Sequence, residues 1–432
     1  MNSGASIRRL RVLFFGEGTS LAHTVRPLEL AATLDPALYD VHFCCDPRYC
    51  QLVRERGLSY HPIHCVSPEI FHSRVYKASA LYHEEELAAY MKEDLQWILE
   101  LRPDVVVGDF RLSLSTSAEV ADIPSITLGN AYWSPRAALP MPVPEHPLTR
   151  IVGVWGMRQV LRVTSGFFFR LQVRGINRLR RPLGLKPLAH AQQLFTGGTK
   201  TLFLDLPQLM GLPSQLSHHE EIVGPVNWEP AGDLPEWWNE LDQHKPRVVI
   251  SSGSSGAVDA TLDALAGLQQ LNVELVLATA GRIPLHRVPP GVRTCEFIPG
   301  KKAAREADLV VCNGGVMAYQ PLSEGVPVLG IPLNIDQHYI MDAIERKGAG
   351  ISVRAGRATP HAIRMAAETL LNNTSYRQAA QEIQRQIHAL NPAQALARAI
   401  HSVCDQLTHT SEVAHHMRLS TPPLSASAGA LS

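Results

Sequence analysis

Two polar residues in the first part of the sequence have the types and placement that proton transfer requires. His23 follows an apolar run at residues 10–15, and Asp109 ends another at residues 104–108. Parallel strands end at one edge of a sheet, where open α/β folds bind their ligands. A carboxylate beside a histidine fixes the imidazole tautomer and stabilises the imidazolium. We therefore predict that His23 is a general base for a hydroxyl group and that Asp109 orients it.

Residues suited to a sugar phosphate lie in the second part of the sequence. Asn313, Gly314 and Gly315 follow an apolar run and precede a predicted helix, so their backbone N–H groups could approach phosphate oxygens. Asp336 and Gln337 follow the next apolar run, and their side chains can bind vicinal hydroxyl groups. Glycine-rich turns recur throughout this fold class, so the turn alone leaves its role open.

A second candidate phosphate site follows the first predicted strand of the second half. The turn at residues 251–255 reads Ser-Ser-Gly-Ser-Ser, and it offers the hydroxyl and N–H groups of Ser252, Gly253 and Ser254. Successive N–H groups in such a turn can form an anion-binding concavity. Serine–glycine turns are common, so the prediction of a phosphate site rests mainly on the position of this turn after the first strand of the second half.

The elements that would position these residues alternate between strand and helix in both halves of the chain. Apolar runs at 10–15, 39–45, 104–108 and 123–128 predict one parallel sheet, and runs at 247–250, 274–278, 309–312 and 328–331 predict another. The fold class is therefore α/β, with two Rossmann-like domains facing each other across a cleft. We predict a first domain at 1–228 with a variable insertion at 135–195, a second domain at 229–405, and a disordered tail at 406–432.

The composition of the chain indicates which kinds of partner it is suited to bind and which cellular compartment it suits. Lys+Arg and Asp+Glu both total 40, which argues against a nucleic-acid-binding protein. The seven cysteines lack zinc-site spacing, and the histidine and cysteine pairs have no companion ligands, so we predict no metal site. The first apolar run is too short for a signal peptide, and we expect a cytoplasmic protein. The arginines at 174–181 leave open a contact with the inner face of a membrane. The oligomeric state stays open.

The stretch from 297 to 350 resembles the nucleotide-sugar signature of family 1 glycosyltransferases, which include macrolide and flavonoid glycosyltransferases and glucuronosyltransferases. The family pattern runs aromatic-x-Pro-Gln, His-x-Gly, an acidic or amide residue, Gly-Val-Pro and Asp-Gln. Here it reads Phe297-Ile298-Pro299, Asn313-Gly314-Gly315, Gln320, Gly325-Val326-Pro327 and Asp336-Gln337. His23 and Asp109 also stand where the family carries its catalytic histidine and the aspartate that orients it.

The resemblance implies a GT-B fold and a role for each matching residue. Phe297, with Ile298, would lie against the base, Gln320 would bind the ribose, and Asp336 and Gln337 would bind the donor sugar. Two positions depart from the pattern: Asn313 replaces the phosphate-binding histidine, and Gly300 replaces a glutamine. Asn313 can donate an N–H but carries no positive charge. Glu324 stays open as a second ribose candidate.

The activity that the resemblance implies is inverting, metal-independent transfer of a hexose-type sugar. The donor would be a UDP or dTDP sugar, and the acceptor a hydroxyl of a small, lipophilic molecule of secondary metabolism. No cofactor beyond the nucleotide-sugar co-substrate is expected. No Asp-x-Asp motif is placed to bridge a diphosphate and a divalent cation.

Three alternatives are open at this point. An NAD-dependent oxidoreductase would use Gly16-Glu17-Gly18 and Asp46, but Leu21 occupies the place of the third glycine and Glu17 would face a pyrophosphate. A sugar-nucleotide epimerase would need an acid-rich catalytic set that the sequence does not offer. A catalytically impaired sugar-nucleotide-binding relative would account for Asn313 and Gly300, but not for an intact His23 and Asp109.

Overall fold

A computed structural model describes residues 8–137, 139–213, 215–251, 253 and 255–420, with side chains described to residue 406. Within those residues the chain forms two parallel sheets. The strands are β1 (Leu10–Gly16), β2 (Tyr39–Cys45), β3 (Ser59–Pro62), β4 (Val105–Asp109), β5 (Ser125–Gly129), β6 (Lys200–Phe203), β7 (Glu220–Ile222), β8 (Arg247–Ser251), β9 (Glu274–Ala278), β10 (Arg293–Cys295), β11 (Leu309–Cys312), β12 (Val328–Gly330) and β13 (Gly350–Ser352).

Helices connect the strands and cover both sheets. They are α1 (Leu21–Ala31), α2 (Cys50–Glu55), α3 (Pro68–Tyr76), α4 (Glu84–Leu101), α5 (Leu114–Ala121), α6 (Pro147–Arg180), α7 (Gln192–Thr196), α8 (Pro207–Met210), α9 (Val258–Leu268), α10 (Gly300–Arg305), α11 (Tyr319–Ser323), α12 (Ile335–Arg346), α13 (Pro360–Asn372), α14 (Thr374–His388) and α15 (Pro392–Ser420).

The first sheet places the two predicted catalytic residues at one edge. Its strand order is β3-β2-β1-β4-β5-β6-β7, so the strand order reverses beside β1. β1 and β4 pair in parallel with Gly16 opposite Asp109, and α1 begins five residues after Gly16. Both strands are almost wholly buried, as expected of parallel strands covered on both faces. The topology therefore brings α1 and the end of β4 to a single ligand-binding edge.

The second sheet repeats this arrangement with a different sequence. Its order is β10-β9-β8-β11-β12-β13, and β8 lies between β9 and β11 as β1 lies between β2 and β4. The ends of β8, β11 and β12 are followed by the turns at 251–255 and 313–315 and by α12, which carries Asp336. The two sheets confirm the predicted α/β class and its two Rossmann-like units.

Five short strands were not predicted, namely β3, β6, β7, β10 and β13. Each has only three or four residues; four of them are edge strands, and β6 lies next to the edge strand β7. A segment this short carries no periodicity that separates it from a loop. The backbone hydrogen bonds of the neighbouring strand define such strands, and these partners are distant in sequence.

The chain ends differ from the predicted boundaries. The first part of α15 packs into the core of the first sheet through five buried residues: Ala395, Leu396, Ala399, Ile400 and Val403. The chain thus returns to the first unit after completing the second sheet, although these positions were predicted within the second domain. The predicted disordered tail began at residue 406, whereas α15 continues to Ser420, because no Gly or Pro interrupts the helix before Pro422. Residues 421–432 lie outside the described part.

The predicted insertion at 135–195 contains the long helix α6. Gly153 has φ 72°, so α6 consists of a short piece before Gly153 and a longer piece after it. Its inner side packs against α4 and contributes Val173 and Ile176 to a buried cluster. Among the described residues, none of the helices is both long and apolar enough to span a membrane.

Candidate active site

His23 and Asp109 are in direct contact at the edge of the first sheet. His23 Nδ1 lies 2.8 Å from Asp109 Oδ1, and Asp109 is buried. Phe110 has φ 61° and stacks on the His23 ring, with 4.3 Å between the ring centroids. Left-handed backbone is costly for a bulky residue, so the surrounding packing must hold Phe110 there. The imidazole is thereby fixed at one ring nitrogen and on one face.

Arg26 holds the carboxylate of Asp109 from the other side. Its Nε donates to Asp109 Oδ2 and its Nη2 donates to Oδ1, both at 2.8 Å. Burial alone would raise the pKa of Asp109, but the charges of Arg26 and His23 outweigh burial and hold that pKa below its ordinary value. Asp109 is therefore ionised at neutral pH. Arg26 was not predicted as a site residue, although it stands three positions after His23 on the same helix face.

The contacts also assign the tautomer of His23. Nδ1 lies 3.3 Å from Arg26 Nη2 but only 2.8 Å from the ionised carboxylate. The shorter contact favours a proton on Nδ1 that is donated to Asp109. This tautomer leaves Nε2 with a lone pair for a substrate proton, which is the state a general base needs.

A buried polar network links this pair to the second sheet. Arg26 donates to Asn130, and the amide of Asn130 donates to Asp205, which follows β6. Asp205 also accepts a hydrogen bond of 2.8 Å from the hydroxyl of Tyr319 on α11. Burial raises the pKa of Asp205, and these hydrogen bonds oppose that effect. The network gives the region around His23 a fixed relation to the helix that follows the Asn313 turn. None of its members beyond Arg26 carries a local sequence signal, since their contacts join distant segments.

A cleft of about 400 Å³ lies between the two units. His23 and Arg26 line it from the first unit. The second unit contributes eight of the predicted donor residues, and a ninth, Gly314, lies in the turn beside them; the eight are Gly253, Phe297, Ile298, Asn313, Gly315, Gln320, Asp336 and Gln337. The predicted Ser252 and Ser254 lie outside the described residues. Phe297 is 51% exposed, so its ring is available to a ligand in the cleft.

Asp336 faces His23 across this cleft. Its Oδ1 is shielded from solvent and has no hydrogen-bond partner among the described residues. Burial raises the pKa of Asp336, and the charge of His23 and a hydrogen bond from Tyr132 partly offset that rise. An acceptor oxygen without a partner is costly in a buried position and is suited to a ligand hydroxyl.

Gln337 has a structural role that the sequence did not predict. Its backbone N–H donates to the Asn334 side chain, and its own Oε1 accepts from the backbone N–H groups of Leu333 and Asn334, which makes a capping box at the start of α12. Its Nε2 donates to Ser255 Oγ at 3.2 Å. The side chain therefore fixes the segment that carries Asp336, and its amide oxygen is already engaged.

The Asn313 turn is organised by its own side chain. Asn313 Oδ1 accepts from Gly315 N–H at 2.9 Å, and Asn313 Nδ2 donates to Ser255 Oγ at 3.2 Å. Gly314 has φ 75°, and a Cβ there would overlap Met341, so glycine is required. Asn313 thus ties the two glycine-containing turns together. Gly253 in the other turn also has positive φ, and a Cβ there would meet Met317.

Gly300 is explained by its neighbour Gln320. A Cβ at Gly300 would overlap the Gln320 side chain, so a glutamine at 300 is incompatible with Gln320 in this position. Gln320 Nε2 donates to the backbone oxygen of Trp228 and lines the cleft. The other ribose candidate, Glu324, pairs with Arg305 at 2.9 Å. The departure at Gly300 is therefore coupled to the presence of Gln320.

The first βα turn offers no place for a dinucleotide. Glu17 is fully buried and accepts a hydrogen bond from Tyr90, beneath the turn. Burial raises the pKa of Glu17 to about 7, against the opposing charge of Arg111. A Cβ at Gly18 would already crowd Asp46 and Cys65, and Asp46 pairs with Arg48. The groups that the oxidoreductase alternative requires are thus committed to packing and internal ion pairs.

Aromatic side chains lie close to His23, in a cavity that Asp336 also lines. A cavity of about 30 Å³ lies behind the histidine, with Phe110, Trp133 and Phe195 in its lining. Trp133 and Phe195 are stacked with 4.6 Å between ring centroids, and Phe71 meets Phe110 edge to face. An acceptor hydroxyl delivered to His23 from this side would carry an apolar body against aromatic rings.

Metal ligands are not grouped near the cleft. In the part of the chain that the structure describes, no cluster of three or more His, Cys, Asp or Glu side chains is arranged to hold a metal ion. His218 and His219 lie near the first-sheet edge strand, where His219 bonds to the backbone of Thr199. The N–H groups of the glycine turns are the cleft's own candidates for binding a diphosphate.

Known proteins resemble the chain over most of its length. A family model described as Erythromycin biosynthesis protein CIII-like, C-terminal domain, matches residues 260–415. The chain is 41% identical over 379 residues to a PGL/p-HBAD biosynthesis rhamnosyltransferase of Mycobacterium bovis, covering 87% of this chain and 84% of that protein. It is 40% identical over 378 residues to a PGL/p-HBAD biosynthesis glycosyltransferase of Mycobacterium tuberculosis, covering 87% and 88%. A solved spinosyn rhamnosyltransferase complexed with thymidine diphosphate shares the fold, with TM-score 0.64, 21% identity and coverage of 91% and 100%.

Proposed function

The chain belongs to the nucleotide-sugar-dependent GT-B glycosyltransferases, and from that premise we propose that it transfers a 6-deoxyhexose from a dTDP sugar to a hydroxyl of a lipophilic acceptor, with inversion and without a metal ion. One observation carries the proposal. His23 Nδ1 lies 2.8 Å from the buried carboxylate of Asp109, in a cleft where Asp336 faces it from the second unit. A base, its orienting carboxylate and a sugar-binding carboxylate thus converge.

The donor is proposed from the relatives and from the cleft. Two similar proteins are named rhamnosyltransferases, and one was solved with thymidine diphosphate. In this chain the free Oδ1 of Asp336 suits a sugar hydroxyl, and the exposed ring of Phe297 suits a nucleobase. dTDP-rhamnose is therefore the first donor to test, with a UDP hexose as the alternative.

The reaction follows from the arrangement of these groups. His23 Nε2 takes the proton of the acceptor hydroxyl as its oxygen forms a bond to the anomeric carbon, and Asp109 stabilises the imidazolium. The bond from that carbon to the nucleoside diphosphate breaks in the same displacement, so the anomeric configuration inverts. Backbone N–H groups at the start of the helical segment that follows Gly315 would stabilise the charge on the departing diphosphate.

The acceptor is proposed from the surroundings of the base. Phe110, Trp133 and Phe195 line the small cavity beside His23, and Phe71 lines the cleft and meets Phe110 edge to face. All seven cysteines are free thiols, in keeping with a reducing compartment. We therefore propose a cytoplasmic reaction, at or near the membrane face where a lipophilic acceptor accumulates.

A panel of nucleotide sugars tests the donor. A true donor should raise the thermal unfolding midpoint in a concentration-dependent way, because it binds only the folded chain. Turnover with that donor and an apolar phenol or alcohol, followed by NMR of the anomeric coupling, tests the chemistry. A retained configuration would contradict the single displacement. Binding without turnover would instead favour the sugar-nucleotide-binding alternative.

A further inference from the structure

The outer side of α6 exposes a row of large apolar side chains. Trp155, Val163 and Phe167 are 76%, 83% and 75% exposed, and Ile151, just before the bend at Gly153, is 81% exposed. Trp155, Val163 and Phe167 are separated by multiples of four residues, so they lie along one stripe of the helix. Elsewhere the exposed large apolar residues are scattered, and single ones are ordinary on a protein surface. Three large exposed apolar side chains on one row, with Gln159 between the first two, indicate a surface that contacts another apolar phase.

Arginines occupy the adjacent row of the same helix. Five arginines also follow four-residue spacing and so form a second row on the helix, next to the apolar stripe: Arg158, Arg162, Arg170, Arg174 and Arg178. Residues 147–204 contain eight arginines and two lysines but no aspartate or glutamate. Since the whole chain has a formal net charge of zero, the positive charge is concentrated here.

Only part of this charge is neutralised by the fold. Arg178 pairs with Glu84 at 2.9 Å, whereas Arg162 bonds to the uncharged Gln159. A protein partner or a second copy with a neutral apolar patch would leave the remaining arginines without counter-charges. An anionic lipid surface can bind the arginine row and the apolar row together. Its headgroups accept hydrogen bonds from guanidinium groups, and the acyl boundary below them accommodates Trp and Phe side chains.

We propose that the outer face of α6, defined by Trp155, Arg162, Val163, Phe167 and Arg170, docks on an anionic lipid bilayer. The piece of α6 after Gly153 has 27 residues and is about 40 Å long, so it can lie along the membrane surface. Its apolar stripe would enter the headgroup boundary, while its arginines would contact lipid phosphates.

The opposite side of the same helix leads to the active site. Phe169 meets Trp133 edge to face with 6.5 Å between ring centroids, and Val173 and Ile176 lie in the buried cluster that contains Phe195. A molecule leaving the bilayer beside α6 would therefore lie next to the aromatic residues that pack around His23. Delivery of a lipophilic acceptor rests on the proposed function, whereas the docking itself does not.

Sedimentation of the full chain with vesicles tests the docking in the absence of donor and acceptor. We expect binding to vesicles of phosphatidylcholine and phosphatidylglycerol, weak binding to phosphatidylcholine alone, and weakening of the former by salt. Each interfacial arginine contributes about fivefold in partitioning, so Arg162→Glu with Arg170→Glu should lower partitioning at least about 30-fold. Trp155→Ser with Phe167→Ser should lower it on both kinds of vesicle.

Matched changes on the second unit serve as controls. Lys347→Glu makes the same change in charge per residue, and Leu285 is 66% exposed, so Leu285→Ser removes a comparable apolar side chain. These controls should bind vesicles as the unaltered chain does, and all variants should share its thermal unfolding midpoint. Equal binding by the α6 variants and the unaltered chain would overturn the proposal. The proposal would also be overturned if analytical ultracentrifugation showed that the unaltered chain self-associates and that the α6 variants do not, with no change in vesicle binding.

Transfer assays separate this proposal from the proposed function. The α6 variants should keep full transfer to a water-soluble acceptor and lose transfer to an acceptor embedded in vesicles. Absence of all transfer, with vesicle binding intact, would overturn the proposed function but leave the docking surface standing. Equal transfer by the variants to both acceptors would overturn the delivery role of α6.

Discussion

Removal of Arg26 should show how the carboxylate of Asp109, which we propose orients the base, is kept charged. The Arg26 side chain is 3% exposed, and that of Asp109 is 1% exposed, with two hydrogen bonds of 2.8 Å between them. Arg26→Met keeps most of the volume and removes the charge. Breaking a buried ion pair by removing one partner costs about 3–5 kcal/mol, because the other charge is left buried. We expect a loss of that size in the free energy of unfolding at pH 7.5.

The loss should depend on pH in a defined direction. In the unaltered chain the pKa of Asp109 is below its ordinary value, so its ionisation stabilises the fold above that value and the stabilisation is lost in acid. Without Arg26, burial would raise this pKa above its unfolded value, and Asp109 would then destabilise the fold wherever it ionises. The deficit of Arg26→Met should therefore grow from pH 5 to pH 7.5.

Urea denaturation across this pH range measures the deficit, and Arg48→Met is the matched control. Arg48 also makes a bidentate pair, with Asp46, but its side chain is 44% exposed. An exposed pair contributes about 0–1 kcal/mol, so this control should lose little at any pH. Single-turnover transfer by Arg26→Met should fall most at low pH, where Asp109 becomes protonated. A deficit that equals that of Arg48→Met, or that does not change with pH, would refute the role of Arg26.

Three further results are expected. His23→Ala should lower single-turnover transfer by roughly 10²–10⁴-fold while the donor dissociation constant by calorimetry stays unchanged, since the donor residues lie on the second unit; near-normal transfer would exclude His23 as the base. Asp336→Asn should weaken binding of the nucleotide sugar more than binding of the nucleoside diphosphate, and equal weakening would contradict a sugar contact. EDTA should leave the rate unchanged, and activity that is lost with EDTA and restored by manganese would contradict a diphosphate site built from N–H groups.

Local sequence patterns were sufficient to predict the central strands of both sheets and the division into two Rossmann-like units. β2, β9 and β11 begin and end at the predicted residues, because each is a largely apolar segment of strand length. The contact between His23 and Asp109 could also be anticipated, since parallel strands end at one edge of a sheet. The short edge strands and the return of α15 to the first core could not, because their partners lie far away in the sequence.

The residue types at the site were determined by the sequence, but their tasks were decided by tertiary contacts. Gln337 stands in the sugar-binding motif, and only the structure shows its amide oxygen engaged in the α12 capping box. Gly300 departs from the family pattern, and the structure shows that the Gln320 side chain fills the space that a side chain at 300 would need. Arg26 stands one helical turn after His23, but only the packing shows that its guanidinium binds Asp109 and that both groups are shielded from water. These hydrogen bonds, and the shielding of these groups from water, depend on residues that are distant in the sequence and close in space. A local sequence pattern does not show which residues those are.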